Sequence, residues 1–302
     1  MKLNKREIEI LEFLMQKKPQ TKEIAKALKI KKSNLANYIG KLEYYGLVTI
    51  TKENKKRIII LNDSISFGFL NILNDFPSLG LRDIFTGKMP FLLSFILTKK
   101  RFRLKDIDLP IMTAKRLLKK LRNLGLVYMP IKGIYELKEE AYPVADFCRD
   151  ILMHMYIAEA KHELKGIFTA KFSFNSSTEL EAVFGTTEEN HPKSYWPTAY
   201  TVFSKYGISL MLAGKYYYSN KKPKIDDIII HTLALGRDTR TILYVSALVI
   251  KNKFDYGKLL KKRQRFDISE EFIRNLIDFV QSKRTYKGFP SWKEVEEVAY
   301  GI

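Results

Sequence analysis

The chain has 302 residues, 46% hydrophobic and 28% charged, the composition of a folded protein long enough for two or three domains, which excludes a disordered chain. Its longest apolar stretch, Met89 to Thr98, is about half what a membrane-spanning helix requires and ends in Lys99-Lys100-Arg101. With 53 Lys and Arg against 33 Asp and Glu the formal charge is +20, a surplus that points to a polyanionic partner, nucleic acid before a membrane surface.

The first residues, Met1 to Arg6, are polar and basic and carry no apolar signal core, so a cytoplasmic location and no membrane partner are expected. The single cysteine, Cys148, cannot form an internal disulfide. The four histidines, His154, His162, His191 and His231, lack ligand-like spacing, so neither a metal site nor a cofactor is expected. The charge is unevenly placed. Residues 1–62 carry +9, residues 63–98 carry −1, residues 99–140 carry +7 and the remaining 162 residues only +5. Sixteen of the twenty surplus charges therefore lie in two compact blocks, and the polyanion belongs to those blocks.

In chain order, Asn4 is a candidate N-cap for a helix with Ile8, Leu11 and Leu14 or Met15 at helical spacing, ending before Pro19. Thr21 is expected to cap a second, short helix with Ile24, Ala25 and Leu28 inward, ending near Ile30. Ser33 is expected to cap a third, with Leu35, Ile39 and Leu42 buried and Asn34, Asn37 and Lys41 on the opposite face, stopped by Gly46. Two β-like runs follow, Leu47 to Ile50 and Arg57 to Leu61, joined through a basic tip at residues 52–56. Three helices and a basic-tipped hairpin resemble a winged helix-turn-helix domain, here residues 1–62. The connector, residues 63–88, is too apolar for a flexible linker, with Phe67, Phe69, Leu70, Ile72, Leu73 and Phe76 before Pro77. It either packs its neighbours together or forms a homodimer face.

A second copy follows at an offset of 79 residues. Ile39, Lys41, Leu42, Gly46, Leu47 and Val48 recur as Leu118, Lys120, Leu121, Gly125, Leu126 and Val127. Its helices are expected at Phe91 to Lys100, around Leu104 to Asp108, and at Thr113 to Leu124, with a shorter hairpin from Val127 to Leu137, so a second winged unit spans 89–140. The whole resembles a tandem winged helix-turn-helix transcriptional regulator of archaeal type. A helix fits the major groove, and one exposed face with polar and basic side chains reaches bases and phosphates together. The candidate contacts with double-stranded DNA are Lys31, Lys32, Ser33, Asn34, Asn37 and Lys41 on the first copy, with Lys55, Lys56 and Arg57 on its hairpin. On the second they are Thr113, Lys115, Arg116, Lys119, Lys120 and Arg122, with Lys132 on the hairpin. Asn34, Asn37, Arg116 and Arg122 are the residue types that read bases, whereas lysines mostly grip phosphate.

Residues 141–302 change in character. A helix from Ala145 to Leu164 breaks at Gly166, a strand runs from Ile167 to Phe174, and Pro197 to Tyr206 suggests a short helix ending at Gly207. Strand-like runs at Ile208 to Leu212 and Lys215 to Tyr218 precede helices from about Ile225 to the end, so the fold class is α+β with two winged units before an α+β domain and a helical tail. Pro197 to Thr201, Tyr206-Gly207-Ile208, Ile225 to Leu235 and Phe254 to Leu259 resemble the C-terminal effector domain of type IV abortive-infection antitoxins. That resemblance covers about residues 165 to 280 and implies DNA-binding autorepression and, through this domain, a nucleotidyltransferase toxin as protein partner.

Catalytic constellations are weak. Glu179 and Glu181 would share one face of a strand, faintly like the metal-binding acids of nucleotidyltransferases, but a solvated edge strand is the stronger reading. Asp226-Asp227 opens a helix, where acids suit the dipole, and His231 falls on an apolar face with Ile228 and Leu235. The run Lys261-Lys262-Arg263-Gln264-Arg265 either touches phosphate or offsets a helix C-terminus, and Tyr216-Tyr217-Tyr218 should place alternate rings inside and outside. The expectation is a DNA-binding transcriptional regulator that is not an enzyme. The alternatives are a plasmid or viral replication initiator and a nucleotidyltransferase-like enzyme acting on nucleic acid.

Overall fold

Helix α1 (Lys5–Gln16) begins where the Asn4 side chain accepts from the Glu7 amide at 3.0 Å and the Glu7 carboxylate accepts from the Asn4 amide at 2.8 Å, a reciprocal cap. The structure is a computed structural model and describes residues 2–16, 19–53, 56–210, 214–252 and 254–301. Helix α2 (Thr21–Ala27) is capped one residue earlier than expected, at Gln20, because Glu23 stands three residues on and accepts from the Gln20 amide at 2.8 Å. Helix α3 (Lys32–Tyr44) also starts early, so Ser33 lies in its first turn and not at its cap; Leu35, Ile39 and Leu42 are its buried stripe. Gly46 ends it with φ +65°, a left-handed conformation that a side chain resists. Strands β1 (Val48–Glu53) and β2 (Lys56–Leu61) pair antiparallel, Val48 opposite Leu61 through Glu53 opposite Lys56, and the Ile59 amide donates to the Pro19 carbonyl at 3.3 Å.

The connector is helical and packed. Helix α4 (Asp63–Asp75) is capped by the Asn62 side chain, and a short α5 (Leu81–Ile84) leads into α6 (Met89–Lys99), whose residues Met89 to Ile96 are all buried. A strand absent from the sequence reading follows, β3 (Arg101–Arg103), and the expected second helix is a single 3-10 turn, Leu104–Asp106. Helix α7 (Ile111–Asn123) precedes β4 (Val127–Ile131) and β5 (Ile134–Leu137), giving the order β3-β5-β4. Helix α8 (Tyr142–Ala160) then packs along α6 and against α4.

The chain forms two compact units, residues 1–160 with 176–180, and residues 161–175 with 181–302. Residues 142–160, placed by sequence in the C-terminal domain, thus belong to the first unit. The physical reason is α8 itself: Phe147 meets Phe69 and Phe85 edge-on at 5.1 and 5.5 Å, and His154 Nε2 lies 2.8 Å from the Gly46 carbonyl oxygen. A Cβ on Gly68 would lie 2.0 Å from the Phe147 ring, so α4 and α8 approach this closely only over a glycine. One continuous core runs through both copies, from Ile8 and Leu35 to Leu92, Leu118 and Cys148.

The second unit has a four-stranded antiparallel sheet in the order β6-β7-β9-β8, from β6 (Ile167–Ser173), β7 (Glu181–Thr186), β8 (Trp196–Pro197) and β9 (Tyr216–Ser219). A 3-10 helix, Ala199–Tyr206, separates β8 from β9. Helices α9 (Ile225–Leu235), α10 (Thr239–Lys251), α11 (Tyr256–Lys262), α12 (Glu270–Ser282) and α13 (Trp292–Tyr300) follow, so the class is α+β, and Ile229, Leu233, Leu248, Ile273 and Val295 form the core. Strand β7 is buried at every position, which erases the alternation that marks a half-buried strand. Tyr217 and Tyr218 are both buried because each face of β9 is covered, Tyr217 packing against Tyr200 and the Tyr218 hydroxyl bonding Asn190, so the rings are not alternately inside and outside as expected. Residues 208–210 are not a strand, and 211–212 lie outside the described residues. No described helix is long and apolar enough to cross a membrane.

Candidate nucleic-acid interface

Helix α7 is the most polarised element of the first unit. Ala114, Leu118 and Leu121 are buried, while Lys115, Arg116, Lys119 and Arg122 are exposed, and none of these four has an acidic partner among the described residues. Four like charges within eight residues repel one another at helical spacing, so this face is poorly suited to folding stability and well suited to an external anion. Thr113, on the same helix, is only half-exposed.

Lys120 leaves the candidate set. Its Nζ sits 2.6 Å from Asp83 of α5 and its charge is spent within the protein. The equivalent residue of the first copy, Lys41, behaves alike: its Nζ donates to the Glu7 carboxylate at 2.8 and 3.0 Å and to the Lys2 carbonyl at 2.9 Å. Glu7 is 1% exposed, so Lys41 neutralises a buried carboxylate. The lysine that recurs at the 79-residue offset is therefore a brace between the third helix and the helical layer behind it. Sequence alone shows the repeat, not the acid each copy meets.

Among the remaining candidates of the first copy, Lys31 at the N-cap of α3 and Lys32, Ser33, Asn34 and Asn37 on its N-terminal half are exposed, and Arg57 is exposed on β2. Arg57 stands directly opposite exposed Lys52 in the β1–β2 register, a like-charge pair that costs stability and leaves positive charge at the hairpin. Lys55 lies outside the described residues, and of Lys56 only the backbone is described.

In the second copy a groove of about 570 Å³ runs between α7 and the β4–β5 hairpin. Lys115, Lys119 and Arg122 line one wall, and Tyr128, Tyr135 and Lys138 the other. Lys132 is exposed at the hairpin turn. Lys138 and Tyr128 were not candidates in the sequence, because their position beside α7 depends on the strand register. The Tyr128 hydroxyl donates to Glu136, which also pairs with Arg101; that hydrogen bond first, and then Arg101, hold the Glu136 carboxyl below its ordinary range. Arg101 is thus partnered, whereas Arg103 two residues on is exposed with no acidic partner among the described residues.

The two proposed acids fall in different units. Glu179, in the 176–180 segment of the first unit, is exposed and not in a strand, whereas Glu181, in the second unit, is buried and begins β7, so the two carboxylates do not share a strand face, and the solvated-edge reading fails for Glu181. Glu181 accepts from His231 Nε2 at 2.8 Å and from Arg265 Nε at 2.8 Å. Burial would push its carboxyl up, yet the His231 and Arg265 bonds outweigh that and hold it at about 2. Arg265 also reaches Asp227 at 2.6 Å, Lys262 pairs with both Asp226 and Asp227, and Thr198 Oγ1 lies 2.7 Å from His231 Nδ1. The basic run at residues 261–265 is therefore partly committed inside the protein: Lys262 and Arg265 as above, and Arg263 to Glu270. The imidazole and the guanidinium together occupy three of the roughly four lone-pair sites of the Glu181 carboxylate.

A family model described as HVO_A0114 matches residues 2–67, which spans α1 to α3, the β1–β2 hairpin and the start of α4. No curated protein and no solved structure matches the chain.

Proposed function

We propose that this protein binds double-stranded DNA sequence-specifically as a transcriptional regulator, through two winged helix-turn-helix units in its first 140 residues. The observation that carries the reading is the exposed face of α7: Lys115, Arg116, Lys119 and Arg122 side by side, without acidic partners among the described residues, beside a groove whose other wall adds Lys138. An α-helix with such a face enters a major groove, its basic side chains reaching phosphates on either side and the arginines reaching guanine edges. The exposed α3 face, with Asn34 and Asn37 among lysines, supplies a second surface of the same chemistry. Within the first unit the two surfaces share one core and are braced by α8, so they act as one body.

The test is selection of bound fragments from sheared genomic DNA of the source at about 150 mM salt, where counterions suppress non-specific binding. The proposal expects a small set of fragments sharing a motif. Enrichment of the promoter of its own gene would support an autoregulator, and enrichment of origin-like repeats an initiator. No enrichment over input would overturn sequence-specific binding.

A further inference from the structure

The leading turn of α7 carries two large apolar side chains that the fold does not cover. Met112 is 76% exposed and Ile111 is 63% exposed, among the highest values for large hydrophobic residues among the described residues. Met112, Lys115, Arg116 and Lys119 fall at spacing i, i+3, i+4 and i+7, so Met112 lies on the same face as the three cations. Ile111 stands one turn before Lys115 on the flank that continues to Arg122, the flank that lines the groove. An apolar pair embedded in unpaired positive charge is an unsuitable surface for another apolar protein face, because docking there would desolvate the cations without neutralising them. It suits a ligand that presents anionic rails and an apolar point between them. Duplex DNA offers that combination in the major groove, where the thymine C5-methyl is the one apolar group on the base-pair edges.

We propose that Ile111 and Met112 read thymine methyl groups, so that this protein selects sites by thymine position as well as by the bases its arginines contact. The inference rests on the DNA-binding reading. Phosphate contacts from Lys115 and Lys119 set the helix into the groove, and the two apolar side chains ahead of them meet the base edges at its leading end. Each buried methyl contributes about fourfold in affinity, whereas a lysine at position 112 would add only sequence-blind attraction.

The experiment starts from randomised 30-base-pair duplexes selected on the full-length protein. The tightest duplex is then rebuilt with deoxyuridine for thymidine, which deletes only the methyl groups. The expected result is that the wild-type protein binds the thymine duplex at least about fourfold more tightly than its uracil counterpart. In the double variant Ile111→Ser and Met112→Ser that ratio falls to about one, while the salt dependence of binding, set by the cations, is unchanged. Both positions are exposed, so the variant is expected to fold, and its thermal transition is compared with wild type. Equal wild-type affinity for the two duplexes, with salt-dependent binding intact, overturns the methyl reading alone. Retention of the thymine preference in the double variant overturns the assignment to these residues. Failure of any duplex to be enriched overturns the DNA-binding reading on which the inference stands.

Discussion

Replacing Lys115, Arg116 and Lys119 together by glutamine should change the salt dependence of DNA binding by a calculable amount. All three are exposed on one face of α7 and have no acidic partner among the described residues; the two lysines each displace one condensed counterion, while Arg116 reaches a base edge. At about 0.9 per phosphate contact, the slope of log K against log salt should flatten by about 1.8, and affinity near 150 mM salt should fall on the order of 10²-fold. Lys120→Gln is the internal control. Its ammonium is bonded to Asp83, so removing it should cost less than about 1 kcal/mol of stability and leave the slope unchanged. Fluorescence anisotropy of a labelled duplex titrated at five salt concentrations reads both quantities. An unchanged slope in the triple variant, or an equal loss from Lys120→Gln alone, would refute the assignment of the α7 face.

Three further outcomes follow from the packing and the charges. Lys41→Ala should destabilise the first unit by about 1–3 kcal/mol in urea denaturation, since Glu7 keeps its Asn4 bonds but loses its buried counter-charge, and the salt slope of DNA binding should not move. Gly68→Ala places a methyl into the Phe147 ring and should cost about 1–3 kcal/mol, part of which Phe147→Leu should restore in a double-mutant cycle; additive losses would contradict the close contact. Glu181 titrates near 2 in the folded protein against an ordinary 4.5, so it contributes stability that is present above about pH 4.5 and lost as pH falls toward 2, about 3 kcal/mol in all. Glu181→Gln should therefore be less stable at pH 7 but show a flatter fall in stability between pH 5 and 3, and parallel pH curves for the two proteins would contradict the Glu181–Arg265–His231 arrangement.

Helices α1, α3 and α7 were legible because their buried stripes keep a helical period and their ends are punctuated by Pro19, Gly46 and Gly125, whereas the expected second helix of the second copy is a single 3-10 turn. The caps at Gln20 and Lys31 were not, because Thr21 and Ser33 are stronger capping residues by type and only the Glu23 bond and the early start of α3 displace them. Strand β3 was missed because three residues are too few for a period. Strand β7 was missed for the opposite reason, since a strand buried on both faces does not alternate. Charge showed where a basic surface should be, and the 79-residue repeat showed which positions correspond. Neither distinguishes Lys119, open to solvent, from Lys120, held by an aspartate distant in sequence, because a partner exists only after folding. The apolar tip at Ile111 and Met112 was likewise hidden, as the same residues would be core on a helix rotated by half a turn.

Entry of the α7 face into the major groove is read by affinity cleavage. Cys148 is buried, so an iron chelate attached to Lys119→Cys labels one position selectively. On a selected duplex, strand cuts should cluster within about one helical turn, roughly ten base pairs, around the enriched motif. Cuts spread evenly along the bound duplex, or no cuts while binding persists, would contradict that entry.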